Sequence, residues 1–123
     1  MAPKAQRVPP ELLERYDRLI TAQPGVERKG ASMPYTSVNG NMFSYLDAGH
    51  LVLRLPAAER QAFLERHATT LHIAHGVVQN EYVDVPDELF ADRDASGAYF
   101  RMSYAYAMTL RPKPTKRAPR SAT

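Results

Sequence analysis

Leu12, Leu13, Tyr16, Leu19 and Ile20 recur at the i, i+3, i+4, i+7 spacing of one helix face, while Glu11, Glu14, Arg15, Asp17 and Arg18 occupy the rest of the wheel. This first helix starts after Pro9-Pro10. It ends at Gln23-Pro24-Gly25, because proline disfavours helix in the residue before it and glycine permits the reversal. Val26 to Lys29 reads as a short strand or an extended lead-in. The period then changes to two. Asn39-Gly40 suits a type I′ turn, which needs positive φ at both central positions, and predicts strands at about Tyr35–Val38 and Asn41–Leu46. Asp47-Ala48-Gly49 returns the chain into His50–Leu55, where Leu51, Leu53 and Leu55 alternate with His50, Val52 and Arg54.

Pro56 is well placed to open a second helix from Ala57 to about His67, with Ala58, Ala62 and Phe63 as its apolar residues. Leu71 and Ile73 alternate with His72, Ala74-His75-Gly76 makes a break, and Glu81 to Val85 forms a further strand that stops at Pro86. Asp87 to Phe90 reads as a helical turn. A last helix, capped by Asp94 or Ser96, runs to Leu110 before Pro112. Its largest stripe is Tyr99, Met102, Tyr106 and Thr109, which predicts a core face. Phe100 and Tyr104 fall off that stripe, four residues apart and hence adjacent on the helix surface, and are the expected partner interface, with a homodimer as one form of it.

The order α-βββ-α-ββ-α predicts an α+β fold of two layers with an antiparallel sheet. One domain is expected over residues 9–111, between an N-terminal tail at 1–8 and a basic, proline-rich tail at 112–123 whose composition favours disorder. Charge follows the same division. Residues 8–110 hold nine lysines and arginines against thirteen acids, so the expected body is four charges negative. The excess of bases comes from Lys4 and Arg7 and from Arg111, Lys113, Lys116, Arg117 and Arg120. Those last five are the candidate phosphate or nucleic-acid contacts, suited to weak, salt-sensitive attraction.

Other chemistries find little to stand on. The chain has no cysteine, which excludes disulfides, thiolate metal sites and thiol nucleophiles. Neither a GxGxxG nor a GxxxxGK[ST] loop occurs, and no GxSxG elbow places Ser32, Ser37, Ser44, Ser96 or Ser103 beside a base. On a strand, His72 and His75 point to opposite faces, so no metal site is expected and the histidines read as solvated or loop residues. Asp84, Asp87, Glu88, Asp92 and Asp94 read as capping and solvating acids. No run approaches the ~18 apolar residues of a membrane span or the form of a signal peptide, and a cytoplasmic location without membrane contact is expected.

The stretch KGASMPYTSVNGNMFSYLDAGHLVLRLP resembles the TfoX N-terminal domain family of small, mostly bacterial α+β domains. The resemblance rests on Gly25-Val26, Lys29, Met33-Pro34, Asn39-Gly40, Met42-Phe43 and the Leu51–Pro56 strand, with a second segment from Gly76 through Glu81-Tyr82-Val83 to Pro86. Gln79 and Asn80 stand where the family often has methionine and a basic residue. The fold this implies is like that of secretion chaperones and YjbR-like proteins. The family's founder belongs to a regulator of natural competence that also has a C-terminal domain absent from this sequence. The expectation is therefore a non-catalytic interaction or regulatory module, without cofactor, that binds a protein partner or itself. Its alternatives are a nucleic-acid-associated transcription or competence regulator using the basic tails, and a small-ligand-binding domain or enzyme.

Overall fold

The computed structural model describes residues 8–30, 33–47 and 49–113. Its elements are α1 (Pro10–Thr21), β1 (Tyr35–Val38), β2 (Asn41–Asp47), β3 (His50–Arg54), α2 (Ala57–Arg66), β4 (Leu71–Ala74), β5 (Val77–Asp84), α3 (Asp87–Ala91) and α4 (Arg93–Thr109). The strands form one antiparallel sheet in the order β1-β2-β3-β5-β4. This is the α+β arrangement that the alternation of periods predicts. β5 starts four residues before Glu81, so the second strand pair is a hairpin whose tip runs past the end of β3.

Two of the three hairpin turns, β1–β2 and β4–β5, follow from paired positive backbone angles. Asn39 and Gly40 have φ of 52° and 80°, and His75 and Gly76 have 52° and 78°, the two-residue pattern that matches the twist of the flanking strands. Gly40 has a second reason to be glycine. A Cβ there would lie 2.0 Å from the carbonyl oxygen of Lys113, whose own N–H donates to Asn39 O at 2.8 Å. Lys113, read above as part of the tail, is thus fastened to the β1–β2 turn.

The helices cover one face of the sheet. Tyr16 of α1 shares a 2.7 Å hydrogen bond with Ser44 Oγ, which is 2.5 Å from Thr36 Oγ1, so three buried hydroxyls satisfy one another. Burial raises the Tyr16 phenol well above its ordinary value and keeps it neutral. Phe43, Leu46, Leu51, Leu53, Leu55 and Val83 project from the sheet into the same core, where they meet Tyr16, Ile20, Phe63, Phe90 and Phe100. On α2 only Phe63 is fully buried. Ala58 and Ala62 are exposed, so that helix is anchored by Phe63 with the half-buried Leu64 beside it, in place of the three apolar residues expected.

A bulge in β2 sets which of its residues face the helices. Thr36 is opposite Ser44 and Ser37 is opposite Met42, so Phe43 is an extra residue. Phe43 and Ser44 consequently both face the helices. Tyr45 and Asp47 are turned to the outer face, where Tyr45 packs on His72 and Tyr82.

Candidate functional site on the outer sheet face

The outer face carries two polar clusters and a groove. In the first cluster His72, 7% exposed, lies between two carboxylates: Nδ1 is 2.6 Å from Asp84 Oδ1 and Nε2 is 2.8 Å from Asp47 Oδ2. An ionised carboxylate can only accept, so both bonds are complete when the ring carries a proton on each nitrogen and holds one positive charge between two negative ones. The cluster fastens β4 to β2 across two intervening strands. His72 was expected to be solvated or in a loop. The outer aromatics correct that, because Tyr45 packs edge-on against the imidazole at 5.6 Å and removes it from water. Burial, reinforced by Tyr82, Asp47 and Asp84, raises the Tyr45 phenol far above its ordinary value.

Arg54 organises the second cluster at the other end of β3. Its Nε donates to Glu81 Oε1 at 2.7 Å, an Nη donates to Met42 O at 3.3 Å, and its guanidinium lies 5.6 and 5.9 Å from the ring centroids of Tyr82 and Tyr106. Tyr82 donates to the same Met42 carbonyl at 2.9 Å, and Tyr106 donates to Glu81 Oε2 at 3.2 Å. Partial burial would raise the Glu81 carboxyl, but the hydrogen bond and charge of Arg54, with Tyr106, hold it below its ordinary value of 4.5. Tyr82 and Tyr106 are both raised, chiefly by burial.

Between β2 and the β4–β5 hairpin lies a groove of about 740 Å³. Met42, Tyr45 and Asp47 line it from β2, Ile73, Val77 and Gln79 from the hairpin, and Met33 from the preceding loop. Its rim is apolar and open to solvent: Met33 is 38% exposed, Ile73 57%, Val77 60% and the adjoining Val78 47%. No group of three or more histidine and acidic side chains among the described residues is placed to hold a metal ion. Both nitrogens of His72 are engaged by carboxylates, and among the described residues no serine or threonine hydroxyl bonds to them.

The residues expected at an interface fall elsewhere. Phe100 is 1% exposed, its ring 5.5 Å from Phe43, and it belongs to the core; Tyr104 is half-buried with its ring 5.7 Å from the same Phe43. The inward stripe of α4 is Ser96, Phe100, Ser103 and Ala107. Small side chains let the helix approach the sheet, and the Ser103 hydroxyl lies 2.8 Å from Phe43 O and 2.7 Å from Arg54 O. Tyr99, Met102 and Tyr106 flank that stripe. The cap of α4 is Asp92, which accepts from Ala95 N at 3.1 Å, in place of Asp94 or Ser96.

Of the candidate phosphate contacts, Arg111 and Lys113 lie beside the β1–β2 turn, with Asn41 donating to Arg111 O at 3.1 Å. Lys116, Arg117 and Arg120 are outside the described residues. Among the described residues no helix is long and apolar enough to cross a membrane.

No curated protein and no solved structure matches the chain significantly. The family model described as TfoX N-terminal domain matches residues 30–107, which take in the whole sheet, both outer clusters and most of α4. The chain belongs to the TfoX N-terminal domain family.

Proposed function

We propose that this protein is a non-catalytic interaction module whose contact surface is the outer face of the sheet, where an apolar segment of a protein partner lies in the groove between β2 and the β4–β5 hairpin. The observation that carries the reading is the open rim formed by Met33, Ile73, Val77 and Val78 around a groove large enough for several side chains. Surface apolar residues gathered in this way favour a partner more than solvent. The disposition of the ionisable groups supports the non-catalytic part: His72 is committed to two carboxylates, Glu81 to Arg54 and Tyr106, and no nucleophile adjoins a free base among the described residues.

The test is a photo-crosslinking amino acid placed singly at Met33, Val77 or Met108, the last an exposed residue of α4 away from the groove. Crosslinks from the first two positions to one common protein, with background from the third, are the expected result. Val77→Glu should reduce the Met33 crosslink to background while leaving the melting temperature unchanged. Equal labelling from all three positions would remove the groove as the contact surface.

A further inference from the structure

Three of the nine lysines and arginines of residues 8–110 line a single pocket on the helical side of the molecule. Arg15 and Arg18 stand three residues apart on α1 and share a face of it, and Arg93 opens α4. Leu19, Phe90 and Ala91 make most of the remaining wall. No acid lines this pocket, whereas the groove on the outer face includes Asp47 and the hollow beside His50 includes Asp84 and Asp87. The three cations keep donors to spare. The Arg15 guanidinium lies 5.2 Å from the centroid of the buried Phe90 ring, a contact that leaves its N–H groups for other acceptors. Among the described residues neither Arg15 nor Arg93 has a carboxylate within ion-pair distance, and Arg18 reaches only Glu14, at 3.6 Å with both side chains mostly exposed. The acid that precedes Arg93, Asp92, is committed to Ala95 N as the helix cap.

We propose that this pocket binds a phosphate group, as the free ion or as the head of a small phosphomonoester. Core packing does not call for the cations, since α1 buries Tyr16, Leu19 and Ile20 without them. Three like charges around one hollow repel one another, and an anion between them turns that repulsion into attraction. Guanidinium groups are the side chains best matched to phosphate, because their planar forks meet its oxygens in pairs. A phosphate dianion offers acceptors and charge for three such forks, where a carboxylate has two oxygens and a single charge. Size agrees with this choice. The pocket holds about 160 Å³, room for some five waters at ~30 Å³ each, which suits a tetrahedral ion of five heavy atoms and leaves any substituent outside. The apolar wall of Leu19 and Phe90 excludes water from one side and strengthens the attraction there. The site lies on the opposite side of the sheet from the groove and does not depend on the reading of that groove.

The experiment is calorimetric titration of the full chain with inorganic phosphate, glycerol 3-phosphate and acetate, all at one fixed ionic strength. It is run on the wild type, Arg15→Gln, Arg93→Gln and, as a control, Arg101→Gln, an exposed arginine of α4 outside the pocket. The expected result is saturable binding of a phosphate ligand, one per chain, by the wild type and Arg101→Gln. Arg15→Gln and Arg93→Gln should each weaken it by about tenfold or more, the effect of losing a hydrogen bond to a charged group. Arg93 is exposed, so its variant reports on the site even where removing Arg15 from the Phe90 ring disturbs folding. Tighter binding of inorganic phosphate assigns the free ion, and tighter binding of glycerol 3-phosphate assigns the phosphomonoester. Absence of saturable binding by both, acetate bound as tightly as phosphate, or an equal loss in Arg101→Gln would overturn the site.

Discussion

The ring of Phe100 packs 5.5 Å from that of Phe43, joining the middle of α4 to the bulge of β2. Both rings are almost completely buried. Phe100→Ala should therefore destabilise the protein by about 3–5 kcal/mol, the usual range when a core phenylalanine is truncated. Tyr104→Ala, on a half-buried side chain beside the same ring, should have a smaller effect. Urea denaturation of the two variants checks the order, and equal losses would contradict this placement of the core stripe.

His72 offers a different comparison. Replacing it with alanine removes two hydrogen bonds from the partly exposed Asp47 and Asp84, a loss of about 1–3 kcal/mol at the usual net of about 0.5–1.5 kcal/mol for each. The triple variant Asp47→Asn, His72→Ala, Asp84→Asn removes the two negative charges as well. It should be more stable than His72→Ala alone, as chemical denaturation at neutral pH would show. A triple variant at or below the single one would mean that the carboxylates do not disturb each other.

For Glu81 the direction with pH follows from its lowered folded value. Its ion pair with Arg54 contributes stability that is fully present above the ordinary value of 4.5 and is lost as the pH falls through the lower folded value. The melting temperatures of wild type and Glu81→Gln should thus differ at pH 6 and converge in the acid range. A gap that widened on acidification would reverse the assignment.

Gly40 and Gly76 share a left-handed backbone but differ in surroundings. Alanine at Gly76 meets open space and bears the backbone strain alone, about 1 kcal/mol. At Gly40 the added methyl also collides with the Lys113 carbonyl, so Gly40→Ala should lower the melting temperature clearly more than Gly76→Ala. Similar losses would imply that the 111–113 segment gives way freely.

The elements themselves were legible because local chemistry sets them: Asn39-Gly40 for the turn, alternating Leu51, Leu53 and Leu55 for β3, and the Leu12 to Ile20 stripe for α1. Which side of α4 faces inward was not. A reading by side-chain size favours Tyr99, Met102 and Tyr106, yet close approach to the sheet selects Ser96, Ser103 and Ala107 around Phe100. The Asp47–His72–Asp84 cluster was equally hidden, since its members are 25 and 12 residues apart and meet only through strand order. The one local clue lay in the hairpin, where a histidine alternates with apolar residues on a strand otherwise free of charge.

The extra residue in β2 acts as a half-period phase shift. Counting inward and outward positions from the Asn39–Gly40 turn without it would put Tyr45 and Asp47 under the helices and turn the side chains of Ser44 and Leu46 to the outer face. A single-residue gap or insertion between Asn41 and Ser44 therefore decides whether β2 presents a carboxylate toward the position of His72, and an alignment that misplaces that gap would compare the outside of one sheet with the inside of another.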